Sequence, residues 1–119
     1  MSISTVLSEL VAGVDGATGA ILLEIDGEAV QWSPEDGGER LRLRGAYIAV
    51  VVKSFRSTGI CTNPLELVCL TLKYAGSSFI AQEINRDCLL VLEMEPDANA
   101  GQAAFRMRSA IEKLRVEIE

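Results

Sequence analysis

Basic side chains crowd into one stretch of an otherwise acidic sequence: Arg40, Arg42 and Arg44 at alternate positions, then Lys53 and Arg56. A guanidinium group is planar and donates in a fork that suits carboxylates. If the stretch is a helix, Arg42, Lys53 and Arg56 fall together on one side and offer a basic face to a partner. The plainer account is ordinary helix surface, with Lys53 and Arg56 near the negative end of the helix dipole.

Catalytic chemistry is conspicuous by its absence. The chain has no histidine, which removes the commonest general base and metal ligand. No Gly-x-x-x-x-Gly-Lys loop is present to cradle a nucleotide phosphate, so the chain is not itself a P-loop GTPase, and no Gly-x-Gly-x-x-Gly follows a strand pattern. Glu93 and Glu95 flank Met94, and Glu112, Glu117 and Glu119 decorate the last segment; all are expected on a solvated surface. Cys61, Cys69 and Cys88 are odd in number and lack Cys-x-x-Cys spacing, which predicts reduced thiols. The expectation is no catalytic residue, no cofactor, no metal and no enzymatic activity.

The net charge of −6 opposes nucleic-acid binding and anionic membranes alike. The longest unbroken apolar run, residues 46–52, is far too short to span a bilayer, and no targeting segment is visible. A cytoplasmic protein follows as the expectation. Nearly half of the 119 residues are apolar, enough for one folded domain over residues 1–119.

Ser4 is an N-cap for a short first helix carrying Val6, Leu7, Leu10 and Val11 and ending at Gly13. Residues 19–25 form an apolar run that needs burial on both faces, hence a central strand. Asp26-Gly27 turns it into an edge strand over residues 28–32. Ser33 and Pro34 prepare a helix that Gly37-Gly38 delays to about Glu39, running to about Ser57. Strands over residues 65–74, 78–84 and 88–92 follow, the last again central. Pro96-Asp97 opens a final helix with Ala100, Ala104, Met107, Ile111, Leu114 and Ile118 on one stripe. Helices mixed with antiparallel hairpins, and two central strands, predict an α+β fold: a five-stranded antiparallel sheet with helices on both faces, in the order α-β-β-α-β-β-β-α.

The middle helix is too apolar for a monomer. Leu41, Ile48, Val52 and Phe55 make one stripe; Leu43, Tyr47 and Val50 make another, with Gly45, Ala46 and Ala49 as a small-residue strip nearby. One face meets the sheet, so the second needs another partner. In so short a chain a second copy related by a two-fold axis supplies it. The strand over residues 65–74 is long, apolar and at an edge, and either a loop or the long helix of the same chain, or pairing with its symmetry mate, would cover it. The interface residues expected are Leu43, Tyr47 and Val50 on the helix and Leu67, Cys69 and Thr71 on the third strand.

Residues 14–23, Val-Asp-Gly-Ala-Thr-Gly-Ala-Ile-Leu-Leu, with the Asp26-Gly27 turn, residues 88–92 and the Asp-Ala-Asn-Ala-Gly of residues 97–101, resemble the Roadblock / dynein-light-chain family in order and spacing. That resemblance implies a profilin-like three-layer fold and dimers joined through third strands with middle helices side by side. It also implies a non-catalytic role: regulating or scaffolding a Ras-like small GTPase, or, alternatively, an adaptor subunit of a larger complex without effect on nucleotide turnover. The family has no catalytic signature to carry over.

Overall fold

The computed structural model describes residues 2–57, 69–74 and 76–118. The first helix, α1 (Ile3–Gly13), is capped by Ser2, whose hydroxyl accepts from the Thr5 amide at 3.2 Å. The cap expected at Ser4 thus falls inside the helix. Starting earlier brings Ile3 onto the core beside Val6, Leu7 and Leu10, which Ser4 as a cap would not have done.

Strands β1 (Ala17–Glu24) and β2 (Ala29–Ser33) form a hairpin. Its turn needs Gly27 at φ 97°, and the Gly27 amide donates to the Glu24 carbonyl at 2.8 Å. A short 3-10 turn, Glu35–Gly37, leads into helix α2 (Gly38–Ser57). The helix begins at Gly38 itself, one residue before the expected start. A Cβ there would run into the Trp32 indole, so glycine permits the close approach of helix and strand. Strands β3 (Leu70–Lys73), β4 (Ser78–Glu83) and β5 (Cys88–Met94) precede α3 (Ala100–Ile118). That last helix opens later than Pro96-Asp97, because the Asn99 side chain takes the capping role and accepts from the Gln102 amide at 3.0 Å.

The sheet is antiparallel throughout, in the order β2-β1-β5-β4-β3. The two apolar runs, β1 and β5, are its centre, and pair from Ala17 opposite Met94 to Glu24 opposite Cys88. Alternation along each strand then sorts side chains between two cores. Ala20, Leu22, Leu90 and Leu92 face α1 and α3. Ile21, Leu23, Leu89 and Val91 face Leu41, Ile48 and Val52 of α2. Helices therefore cover both faces, as two central strands require. On α3 the buried stripe is Ala103, Met107, Ala110, Ile111 and Leu114; Ala100, Ala104 and Ile118 lie at its margin. No helix among the described residues is long and apolar enough to cross a membrane.

Candidate functional site

Among the described residues nothing covers the outer stripe of α2. Leu43, Tyr47 and Val50 are 60%, 64% and 62% exposed, while Leu41, Ile48 and Val52, on the opposite side, are buried. A groove of about 650 Å³ runs beside this stripe, with Leu43, Arg44 and Tyr47 on one wall and Tyr74 and Phe79 on the other. Tyr74 and Phe79 meet edge to face, with ring centroids 5.6 Å apart. The Arg44 guanidinium lies 5.9 Å from the Phe79 ring, which puts a cation at the rim of an apolar trough.

Strand β3 forms the nearby sheet edge. Its backbone pairs with β4, from Leu70 opposite Ala81 to Lys73 opposite Ser78, and no strand among the described residues pairs with its other side. Leu70 and Leu72 pack into the α2 core, so alternation turns Thr71 to the opposite face of the sheet. Cys69 and Thr71 are exposed at this edge, and Leu67 lies outside the described residues, as do Cys61 and residues 65–68 of the expected strand. Helix stripe and strand edge are thus adjacent, but Thr71 is not on the helix side.

The basic residues divide differently from the wheel. Arg42 stacks on Trp32 at 5.1 Å and donates from Nε to the Gly38 carbonyl at 3.3 Å. Arg56 grips Glu83, Nε to Oε1 at 3.2 Å and Nη2 to Oε2 at 3.1 Å, and donates from Nη1 to the Arg86 carbonyl at 2.9 Å. Lys53 is exposed. The three do not act as one patch: Arg42 is tied to the β2 end of the molecule and Arg56 to the β4–β5 turn.

A carboxylate expected in solvent is instead buried, beneath two half-exposed arginines. Glu93 is only 2% exposed. It takes Arg40 in a fork, Nη2 to Oε1 at 3.0 Å and Nε to Oε2 at 3.3 Å, together with Arg44 Nη1 at 2.6 Å and the Thr18 hydroxyl at 2.7 Å. Burial alone pushes the Glu93 carboxyl up, but bonds from Thr18, Arg44 and Arg40 outweigh it and hold the group below the usual glutamate range. The signal was present in the sequence. Glu93 shares strand parity with Leu89 and Val91, which aims it at α2, where Arg40 and Arg44 stand one helical turn apart.

The remaining chemistry is sparse. Burial, with Glu24 and Asp87 nearby, pushes the Cys88 thiol up and away from thiolate reactivity. Carboxylates of Glu24, Asp26 and Glu28 on the β1–β2 hairpin lie within 4.8 Å of one another, and are the only group of three with metal-ligand spacing among the described residues. They are surface acids on a turn, with no histidine or cysteine to add to the set.

No protein-family model matches the chain, and no curated protein matches it by sequence. Solved structures do. A Roadblock/LC7 domain from Streptomyces avermitilis superposes with a TM-score of 0.86 at 18% identity, over 98% of this chain and 97% of that one. Myxococcus xanthus MglB superposes with a TM-score of 0.81 at 15% identity, over 96% of this chain and 92% of that one. Profilin IB of Acanthamoeba castellanii reaches 0.61 at 17% identity, over 98% of each chain. The chain has the Roadblock/LC7 fold, within the wider profilin-like architecture.

Proposed function

We propose that the chain is a non-enzymatic homodimeric platform that docks a Ras-like small GTPase. The observation that carries this reading is the exposed stripe of Leu43, Tyr47 and Val50 on α2, beside the outer edge of β3, with which no strand among the described residues pairs. A two-fold axis past that edge sets two α2 helices side by side and lets the two β3 strands extend one sheet across both copies. Burying the three side chains contributes roughly 3–5 kcal/mol per copy before the cost of association, enough to matter and too little to waste on solvent. The class of partner is what the family resemblance of residues 14–23 and the Asp26-Gly27 turn implies, and the likeness in fold to MglB agrees with that family.

The partner docks across the paired helices. Arg40 and Arg44 are held by Glu93, and Arg56 by Glu83, so none is free to reach into another protein's phosphate site. On this face, where Arg42 is likewise stacked on Trp32, any acceleration of hydrolysis works by ordering the partner's own switch loops, not by an arginine inserted in trans, which would supply about 10³–10⁵ in rate. Interferometry with the chain immobilised, against small GTPases loaded with GDP or a GTP analogue, tests the reading. Saturable binding that depends on the nucleotide, and is lost with Tyr47→Asp, is expected. Absence of binding in either state overturns it and leaves an adaptor role in a larger complex.

A further inference from the structure

The opposite layer carries a second feature that the core does not explain. On α3 the buried stripe centres on Met107 and Leu114. At about 100° per residue, Phe105 falls almost diametrically opposite that stripe, with Val116 and Glu112 within roughly 20° of it. Phe105 is 69% exposed and Val116 75% exposed. A single exposed apolar side chain is ordinary, but here the two large ones on α3 share one line along the helix, opposite its buried stripe.

We propose that this face of α3 is a second two-fold contact, occupied by α3 of another copy of the chain packed antiparallel. The spacing is self-complementary. Phe105 and Val116 lie about 16 Å apart along the axis, at ~1.5 Å per residue. An antiparallel partner centred midway between them sets Phe105 of each copy against Val116 of the other, and so closes both ends of the contact at once. Between these ends Arg108 of each copy comes level, to within a residue, with Glu112 of the other. Neither Arg108 nor Glu112 is in an ion pair among the described residues, so both are available. Ser109, small and exposed, lies on the same line and lets the helices approach.

The other α3 charges lie off this line; Arg106 and Glu117 fall about 100° or more round the helix from Phe105. Lys113 points to Glu9 of α1, with Nζ 3.9 Å from Oε2, and Arg115 donates to the Ile84 carbonyl at 2.8 Å. The outward line is left with one positive and one negative charge, which match under two-fold symmetry and do not repel. A partner of either uniform charge would satisfy only one of them. Because α2 and α3 lie on opposite faces of the sheet, the two contacts do not compete. Used together they join dimers into larger assemblies.

Sedimentation equilibrium on the full chain and on Phe105→Asp, Tyr47→Asp and the double variant tests this, with circular dichroism to check folding. Phe105 is exposed, so its substitution leaves the core intact. The Tyr47→Asp chain is expected to associate in pairs through α3, and adding Phe105→Asp should raise its dissociation constant by at least about ten-fold. Arg108→Glu should weaken the same pairs, and Arg108→Glu with Glu112→Arg should restore them. If Phe105→Asp shifts association in neither background, or if the double charge reversal restores nothing, the α3 contact is wrong. A wild-type chain driven to single copies by Phe105→Asp alone would keep the α3 contact and remove the α2 one, which separates the two readings.

Discussion

Glu93 is where the residue scale teaches most. A carboxylate at the end of a central strand joins β5, β1 and the first turns of α2 through Arg40, Arg44 and Thr18. Both arginines are nearly half exposed, which screens their charge and reduces the stabilisation below that of a wholly buried pair. Glu93→Gln should cost about 1–3 kcal/mol in chemical denaturation at neutral pH. The folded carboxyl lies below its ordinary value of 4.5, so its contribution is complete above that value and is lost as the pH falls through the lower folded one. The difference between wild type and variant should therefore shrink in acid; a difference constant from neutral pH to well below 4.5 would deny the charge its role. Arg56 and Lys53 make a second pair of predictions. Arg56→Ala leaves the Glu83 carboxylate and the Arg86 carbonyl without their partner and should cost about 1–3 kcal/mol. Lys53→Ala should stay within about 0.5 kcal/mol, as surface changes do. Thermal melts of both variants decide it. Sequence reading grouped these residues by angle round the helix, which says nothing of what the sheet offers from below. That is why the wheel united Arg42 and Arg56 and overlooked Glu93.

At the scale of elements, helix α2 is fixed by a few tight approaches. Gly38 faces the Trp32 indole, whose Nε1 donates to the Glu35 carbonyl at 3.3 Å while Arg42 covers its ring. Gly38→Ala would gain at most about 1 kcal/mol of helix propensity. The overlap with a pinned indole costs about 1–3 kcal/mol, so the net effect should be a lower Tm and a shifted tryptophan emission. An unchanged Tm would mean that the indole moves freely. Element types were legible because periodicity separates strand from helix: the runs in β1 and β5 demanded burial on both faces, and both are central. Boundaries were less so. Ser2 and Ser4 are equal as caps on paper, and so are Pro96-Asp97 and Asn99 as helix openings. Packing of Ile3, and the Asn99 bond to Gln102, chose between them.

For the whole molecule, the decisive reading was the double stripe of α2. Sequence alone grouped Leu41, Ile48, Val52 and Phe55 on one stripe and Leu43, Tyr47 and Val50 on another; the fold buries the first three, half-buries Phe55 and leaves the second stripe outward. The strand edge was legible too, but the face presented by each of its residues was not, because the parity of β3 against the sheet depends on its register with β4. The outward Phe105 and Val116 are not legible in the same way, because two apolar residues eleven positions apart form no stripe of their own. The α2 face should join two copies. Sedimentation equilibrium on the Phe105→Asp chain, with its α3 face silenced, should give the mass of two copies, and adding Tyr47→Asp should return one. A single copy across the whole concentration range before Tyr47 is touched, or a dimer that survives Tyr47→Asp unweakened, would contradict it.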